Sequence, residues 1–201
     1  MKKIIYSVLL ISILSNCSTN KTKEESEKEP VLLNDNSIVE IQPQSQRDTL
    51  KGSLKAEAKG KIGAATITIS YHSPAVRGRI VWGGLVPYDK VWVTGAHMAT
   101  SIEFDQDITI GGTKISAGKY GFFTIPGKSE WTIIINKNWQ QHLTDEYDLK
   151  DDVIRVIVKS ETEETPQERL RYVVETESST EGEIVIYWEE LEVSLPIIAS
   201  K

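Results

Sequence analysis

The chain has 201 residues, one cysteine, 29 acidic and 23 basic side chains, and a formal charge of −6 at pH 7. A single cysteine excludes an intrachain disulfide. The acidic balance argues against nucleic acid as a partner, because that binding needs a basic surface.

Met1-Lys2-Lys3 is a short basic start, and Ile4 to Leu14 is apolar except for Tyr6, Ser7 and Ser12. These are the n-region and h-region of a secretory signal. The run is too short to span a bilayer, which takes about 20 apolar residues. It ends Leu14-Ser15-Asn16-Cys17, which resembles the lipobox of bacterial lipoproteins. Residues 1–16 are expected to be cleaved as a lipoprotein signal peptide. Cys17 is the expected lipidation site, with a diacylglycerol on the thiol and an acyl chain (palmitate in kind) on the new amino terminus. More than one chain meets the requirement for stable anchoring. Loss of Lys2 and Lys3 takes the formal charge from −6 to −8, so lipid rather than charge is expected to hold the protein at a membrane.

Residues 17–47 are expected to be an acylated cysteine followed by a disordered tether. Lys21 to Pro30 contains no apolar residue and reads as a solvated linker. Its acidic cluster also resembles the charged signals that send some Bacteroidetes-type lipoproteins to the cell surface. The expected place is the cell envelope, with the outer membrane favoured. Val31-Leu32-Leu33 and Ile38-Val39-Glu40-Ile41 are apolar islands suited to docking on the domain. That domain is expected over residues 48–201, about 150 residues, enough for a real core.

Period-2 alternation dominates the domain. Ile67, Ile69 and Tyr71 share one strand face, as do Leu170, Tyr172 and Val174, and Ile184, Ile186 and Trp188. Leu191, Val193, Leu195 and Ile197 alternate with Glu192, Ser194 and Pro196. Ile154, Val156 and Val158 flank Arg155 and Ile157, which predicts a strand apolar on both faces. Gly111-Gly112, Ala117-Gly118 and Pro126-Gly127 punctuate the strands between, and Ser178 to Gly182 reads as a hairpin loop. The pattern predicts an all-β fold, an antiparallel β-sandwich with at most one short helix. That helix falls between Asn138 and Leu149, with Trp139 and Leu143 four apart.

An ordered series of motifs runs through the domain. Ser73-Pro74-Ala75-Val76-Arg77-Gly78-Arg79 precedes Gly83-Gly84-Leu85-Val86-Pro87-Tyr88-Asp89-Lys90-Val91-Trp92. Thr94-Gly95-Ala96, Ile110-Gly111-Gly112, Ala117-Gly118-Lys119-Tyr120 and Glu130-Trp131-Thr132-Ile133-Ile134-Ile135-Asn136 follow. The series resembles the DUF2911 family of uncharacterised exported bacterial proteins, common in Bacteroidetes. The resemblance is densest over 71–136. It implies a small β-rich exported domain and no established activity. The family usually reads Trp-Arg-Thr-Gly-Ala-Asn where this chain has Trp92-Val93-Thr94-Gly95-Ala96-His97, so any role needing that arginine and asparagine is in question here.

The candidate contact zone is Arg77 to Thr100. On a strand, Arg77 and Arg79 would share a face, and their guanidinium forks suit a carboxylate, sulfate or phosphate; the plainer reading pairs them with acidic neighbours. Trp82, Tyr88 and Trp92 suit a platform for a glycan, against the plainer reading of core packing. His97 completes the candidate set. His72, His97 and His142 are the only histidines and show no tight metal spacing. A metal site would have to assemble them from distant segments, with Asp145 or Glu146. Asp145, Glu146, Asp148, Asp151 and Asp152 lack the ordered spacing of a calcium loop. No cofactor is expected.

The leading expectation is a lipid-anchored, non-catalytic β domain that binds a ligand or partner, such as a glycan or envelope protein. The alternative is a metal-assisted envelope hydrolase using His97 with His72 or His142. A structural accessory subunit, marked by an exposed apolar patch, is the third reading.

Overall fold

A computed structural model describes residues 37–200. The expected signal peptide, Cys17 and the first part of the tether lie outside the described residues. Nine strands follow one another: β1 (Leu54–Ile62), β2 (Ala65–Ser73), β3 (Thr100–Phe104), β4 (Ile108–Ile110), β5 (Thr113–Ile115), β6 (Gly118–Pro126), β7 (Glu130–Asn136), β8 (Asp152–Thr176) and β9 (Glu181–Ala199). They form one open antiparallel sheet in the order β1-β2-β3-β6-β7-β8-β9-β4-β5.

The fold is all-β, as the alternation predicts. In β2, Ile67, Ile69 and Tyr71 are buried while Thr66, Thr68, Ser70 and His72 are half-exposed. Several expected strands prove to be parts of longer ones. The runs around Ile154 and Leu170 belong to the 25-residue β8, and those around Ile184 and Leu191 belong to the 19-residue β9. β8 pairs with β7 through its first third and with β9 beyond Ser160. Its register with β9 shifts on either side of Gln167, opposite Glu189, whose φ is 56°. Such bulges bend a strand pair. The bend turns the far half of β8 back over β1. A Cβ on Gly60 of β1 would lie 2.7 Å from Cβ of Val174 on β8, so only glycine lets the two layers approach there.

The fold thus encloses one main core drawn from β1 to β9, including Ile67, Ile102, Phe104, Phe122, Trp131, Tyr172 and Trp188. A smaller cluster of Val93, Ala99, Phe123 and Ile134 is separate from it, covered in part by Tyr147. The expected double-sided apolar strand at Ile154–Val158 is corrected: Ile157 is exposed, because no layer covers that face of β8. The expected helix is absent. The Asn138–Leu149 stretch spends its hydrogen bonds elsewhere: Leu143 N–H donates to His97 O, and Glu146 N–H to the Gln141 side chain. Only a single 3₁₀ turn, Leu149–Asp151, remains.

The end of the expected tether belongs to this unit. Val39 pairs in parallel with Ala56 on the β1 edge, and Ile41 is buried in the main core. Glu168 N–H donates to Gln44 O. The strap is then fixed by Arg169, which is 1% exposed. Its guanidinium grips both carboxylate oxygens of Asp48 and donates to the carbonyls of Leu50, Gly52 and Ser73. Among the described residues, the buried core side chains come from within Ile41–Ala199. Residues 34–201 form one compact unit that carries its own core and is expected to fold alone.

Burial alone would raise the Asp48 carboxyl, but the Arg169 hydrogen bonds and charge, with Gln44 and the Leu50 N–H, hold it below its ordinary 3.8. Its contribution is therefore complete above pH 3.8 and is lost as pH falls through the lower folded value. Asp48→Ala strands a buried guanidinium and is expected to cost about 3 kcal/mol in a urea melt at pH 7. A cost below about 0.5 kcal/mol, the level of an ordinary surface change, would contradict this role.

Candidate ligand-binding groove

The residues singled out from sequence sit in different environments. Arg77 and Arg79 lie in a turn rather than a strand, with φ of 52° at Arg77 and 66° at Gly78. The Arg77 guanidinium donates to Leu50 O (2.6 Å) and Gly52 O (3.1 Å); Arg79 donates to Ala75 O and Val76 O. Both therefore spend donors on backbone carbonyls that hold the strap and the turn.

Trp82 and Trp92 pack with Trp131 and Trp188. Ring centroids are 5.0 Å apart for Trp82–Trp131 and 5.6 Å for the stacked Trp92–Trp188 pair. Trp92 Nε1 donates to Gly95 O at 3.1 Å, whereas the buried Nε1 atoms of Trp82, Trp131 and Trp188 have no acceptor among the described residues. Edge-to-face packing turns the positive ring edges toward neighbouring faces and offsets part of that cost. Tyr88 is half-exposed, beside Gly83. These rings form core and loop support rather than one platform.

The loop from Trp92 to Thr100 is pinned from below. Thr94 O accepts from the hydroxyls of Thr100 (3.0 Å) and the buried Tyr172 (2.7 Å). Val93 is buried with Phe123 and Ile134. His97 has φ of 62°. Asparagine and histidine are both among the residues that tolerate this left-handed conformation, which gives a backbone reason for either at that position. Ala99 N–H donates to Gln141 O, and Met98 bridges to His142, joining this loop to residues 139–143.

These loops wall a groove of about 360 Å³ on the face of β1, β2, β3 and β6. Ser70 and Ser101 are cross-strand partners, continued by Gly121 on β6. A Cβ on Gly121 would lie 2.9 Å from Asn138 O, so glycine lets the 138–140 loop lie against the sheet. Ile38 of the strap, Met98 and Trp139 supply apolar walls; Lys55 and Lys119 supply ammonium groups and His72 an imidazole. Lys119 Nζ stands 4.4 Å from the Trp139 ring centroid.

His72 and His97 are brought together, their rings edge to face with centroids 5.3 Å apart. The His142 ring is engaged elsewhere, with Nδ1 3.1 Å from an Asp145 oxygen. Among the described residues no three His, Cys, Asp or Glu side chains converge as a metal site would need. Several acidic side chains have local partners. Asp105 accepts from Thr66 N–H, Asp107 from Ala117 N–H and Lys114, and Asp152 binds Asn136, Tyr147 and Arg155. The last network closes the 137–151 loop. Burial and the hydrogen bond to Asp152 push the Tyr147 hydroxyl up to about 12.

Lys55, Ser70, Ser101, Lys119 and Trp139 were not singled out from sequence as site residues. Each is unremarkable alone, and only strand register brings them together.

The architecture defines a small exclusively β domain with a shallow groove on one sheet face. The chain belongs to DUF2911, a family of proteins of unknown function, whose model matches residues 53–197. No curated protein and no solved structure gives a significant match. The strap of residues 37–52, with Asp48 and Ile38, precedes the matched region.

Burial, His97 and Lys55 together lower the His72 pKa below its ordinary 6.5. The unfolded chain then binds a proton on this residue before the folded one does, so stability falls as pH drops below 6.5 toward the folded value. An imidazole NMR titration is expected to place His72 below 6.5 and to move it upward in His97→Ala. An unchanged value in that variant would show that the two rings do not interact.

Proposed function

We propose that this chain is a lipid-anchored cell-envelope protein whose β domain binds a ligand non-catalytically in the groove between the strap, the Met98 loop and Trp139. The observation that carries the binding reading is the groove itself: apolar walls, a few convergent polar groups and a floor of small residues, the usual make-up of a small-molecule site. The anchor rests on the sequence, where a basic start, a short apolar run and a lipobox-like tetrapeptide precede a lone cysteine. The outer membrane is the favoured location.

Arg77, Arg79, Trp82, Tyr88 and Trp92 enter this reading as supports of the loops, and His97 as a rim residue beside His72. The hydrolase alternative draws support from the His72–His97 contact alone. It predicts about one equivalent of zinc bound to the Asn34–Lys201 unit and lost in His97→Ala; no zinc in the unmodified unit rejects it.

Two experiments test the main reading. The full chain expressed in a bacterium that processes lipoproteins is expected to take up labelled palmitate and to fractionate with membranes. Cys17→Ser is expected to lose both, and labelling of that variant would contradict the anchor. For the groove, a neutral apolar dye, N-phenyl-1-naphthylamine, is expected to bind the Asn34–Lys201 unit with a fluorescence gain. Ser101→Trp should fill the floor and remove the gain without lowering Tm. Dye binding unaffected by Ser101→Trp would place the ligand site elsewhere.

A further inference from the structure

The two long strands part company where β8 begins. β9 follows β8 as far as the Ser160–Val193 pair, and its last residues pair with β4 instead. Among the described residues, the stretch of β8 before Ser160 is therefore laddered to β7 alone. Ser160 N–H donates to Ser129 O, which sets the direction of the bonds along this stretch. Antiparallel alternation turns the backbone groups of Val158, Val156 and Ile154 toward β7 and those of Lys159, Ile157 and Arg155 outward. An edge of this kind is a template for one more strand.

The side chains on this stretch select which strand could use it. Ile154, Val156 and Val158 pack against the main core. Arg155, Ile157 and Lys159 are exposed on the uncovered face, Ile157 to 69%. That face reads basic, apolar, basic along the edge. Arg155 is steadied by Asp152 and the Tyr147 hydroxyl, and Lys159 stands opposite Glu130 of β7. If a second copy paired here so that the two Ile157 side chains met, Arg155 of each chain would face Lys159 of the other. Like charges directly opposite are destabilising, whereas a strand with carboxylates at those positions gains from both cations.

We infer that the Arg155–Lys159 edge of β8 binds an extended acidic segment of a partner protein by strand addition, with acid, apolar residue and acid at alternate positions. The outward backbone groups of Arg155, Ile157 and Lys159 supply the hydrogen bonds of the new ladder. An apolar side chain over Ile157 and carboxylates opposite Arg155 and Lys159 supply the choice of segment. The edge lies on the far side of β7 from the groove strands, so this inference stands independently of the groove reading.

The probe is a synthetic peptide, acetyl-Thr-Glu-Thr-Val-Thr-Glu-Thr-amide, whose pattern is the same in either strand direction. It is titrated at low salt into the isotope-labelled Asn34–Lys201 unit and followed by NMR, and melts check that every variant is folded. The amides of Arg155, Ile157 and Lys159 are expected to shift together, and their hydrogen exchange to slow at least about tenfold at saturation. Ile157→Pro removes one outward N–H and leaves the ladder to β7 in place, so it is expected to fold and to lose binding. Lys159→Glu is expected to weaken binding about fivefold. A peptide with lysines in place of the two glutamates is expected not to bind. Failure of the acidic peptide to shift those three amides would overturn the inference, and so would equal binding of the lysine peptide. Shifts at the same amides on concentrating the unit alone would assign the edge to a second copy and overturn it as well.

Discussion

Arg169 is the point on which this architecture turns. A guanidinium buried to 1% exposure must find partners for its donors or cost several kcal/mol. It finds them in three places: the Asp48 carboxylate, the Leu50 and Gly52 carbonyls of the strap, and Ser73 O at the end of β2. Arg169 sits on β8 just past its bend, beside the bridge from Ala75. One side chain therefore ties the folded-over layer, the end of β2 and the incoming chain into a single corner. Arg77 reinforces the same corner by donating to Leu50 O and Gly52 O from the other side.

The strap's position shapes the groove, because it carries Ile38 to one wall. With Val39 paired to Ala56, Ile38 forms one wall of the cavity that Met98, Ala99 and Trp139 close elsewhere. The opposing loops are held by separate devices. Thr94 and Tyr172 pin the 92–100 loop, and the Asn136–Asp152–Tyr147–Arg155 network closes the 137–151 loop. The smaller apolar cluster of Val93, Phe123 and Ile134 supports those loops. The groove is thus a place where covering loops stop short of the β1 edge.

Much of the fold was readable in the sequence because period-2 alternation is a local signal. It identified the inward faces of β2, β8 and β9 and the all-β class. It could not show that the runs around Ile154 and Leu170 are one strand, since the bulges at Gln167 break the alternation where β8 bends. The expected helix at 138–149 failed for a related reason. Trp139 and Leu143 have helical spacing, but Leu143 adopts φ of 49° and its N–H pairs with His97 across the chain. Of the candidate residues, His72 and His97 do meet, although 25 positions separate them in sequence. The arginines and tryptophans are there, but their donors and rings are committed to backbone carbonyls and to one another. Lys55 and Lys119 carry no sequence signal, because strand register alone makes them neighbours of one groove.

The most direct test of this account is amide hydrogen exchange at the strap of the Asn34–Lys201 unit. Val39 N–H donates to Lys55 O at 3.0 Å, Glu57 N–H to Val39 O at 3.0 Å, and Glu168 N–H to Gln44 O at 2.8 Å. The account predicts that Val39 and Glu168 are protected to the same order as the inner amides of β1, with protection at Val39 falling toward that of an open peptide in Asp48→Ala. Exchange of Val39 at the rate of an unstructured peptide in the unmodified unit would contradict it, since the strap would then neither close the corner nor wall the groove.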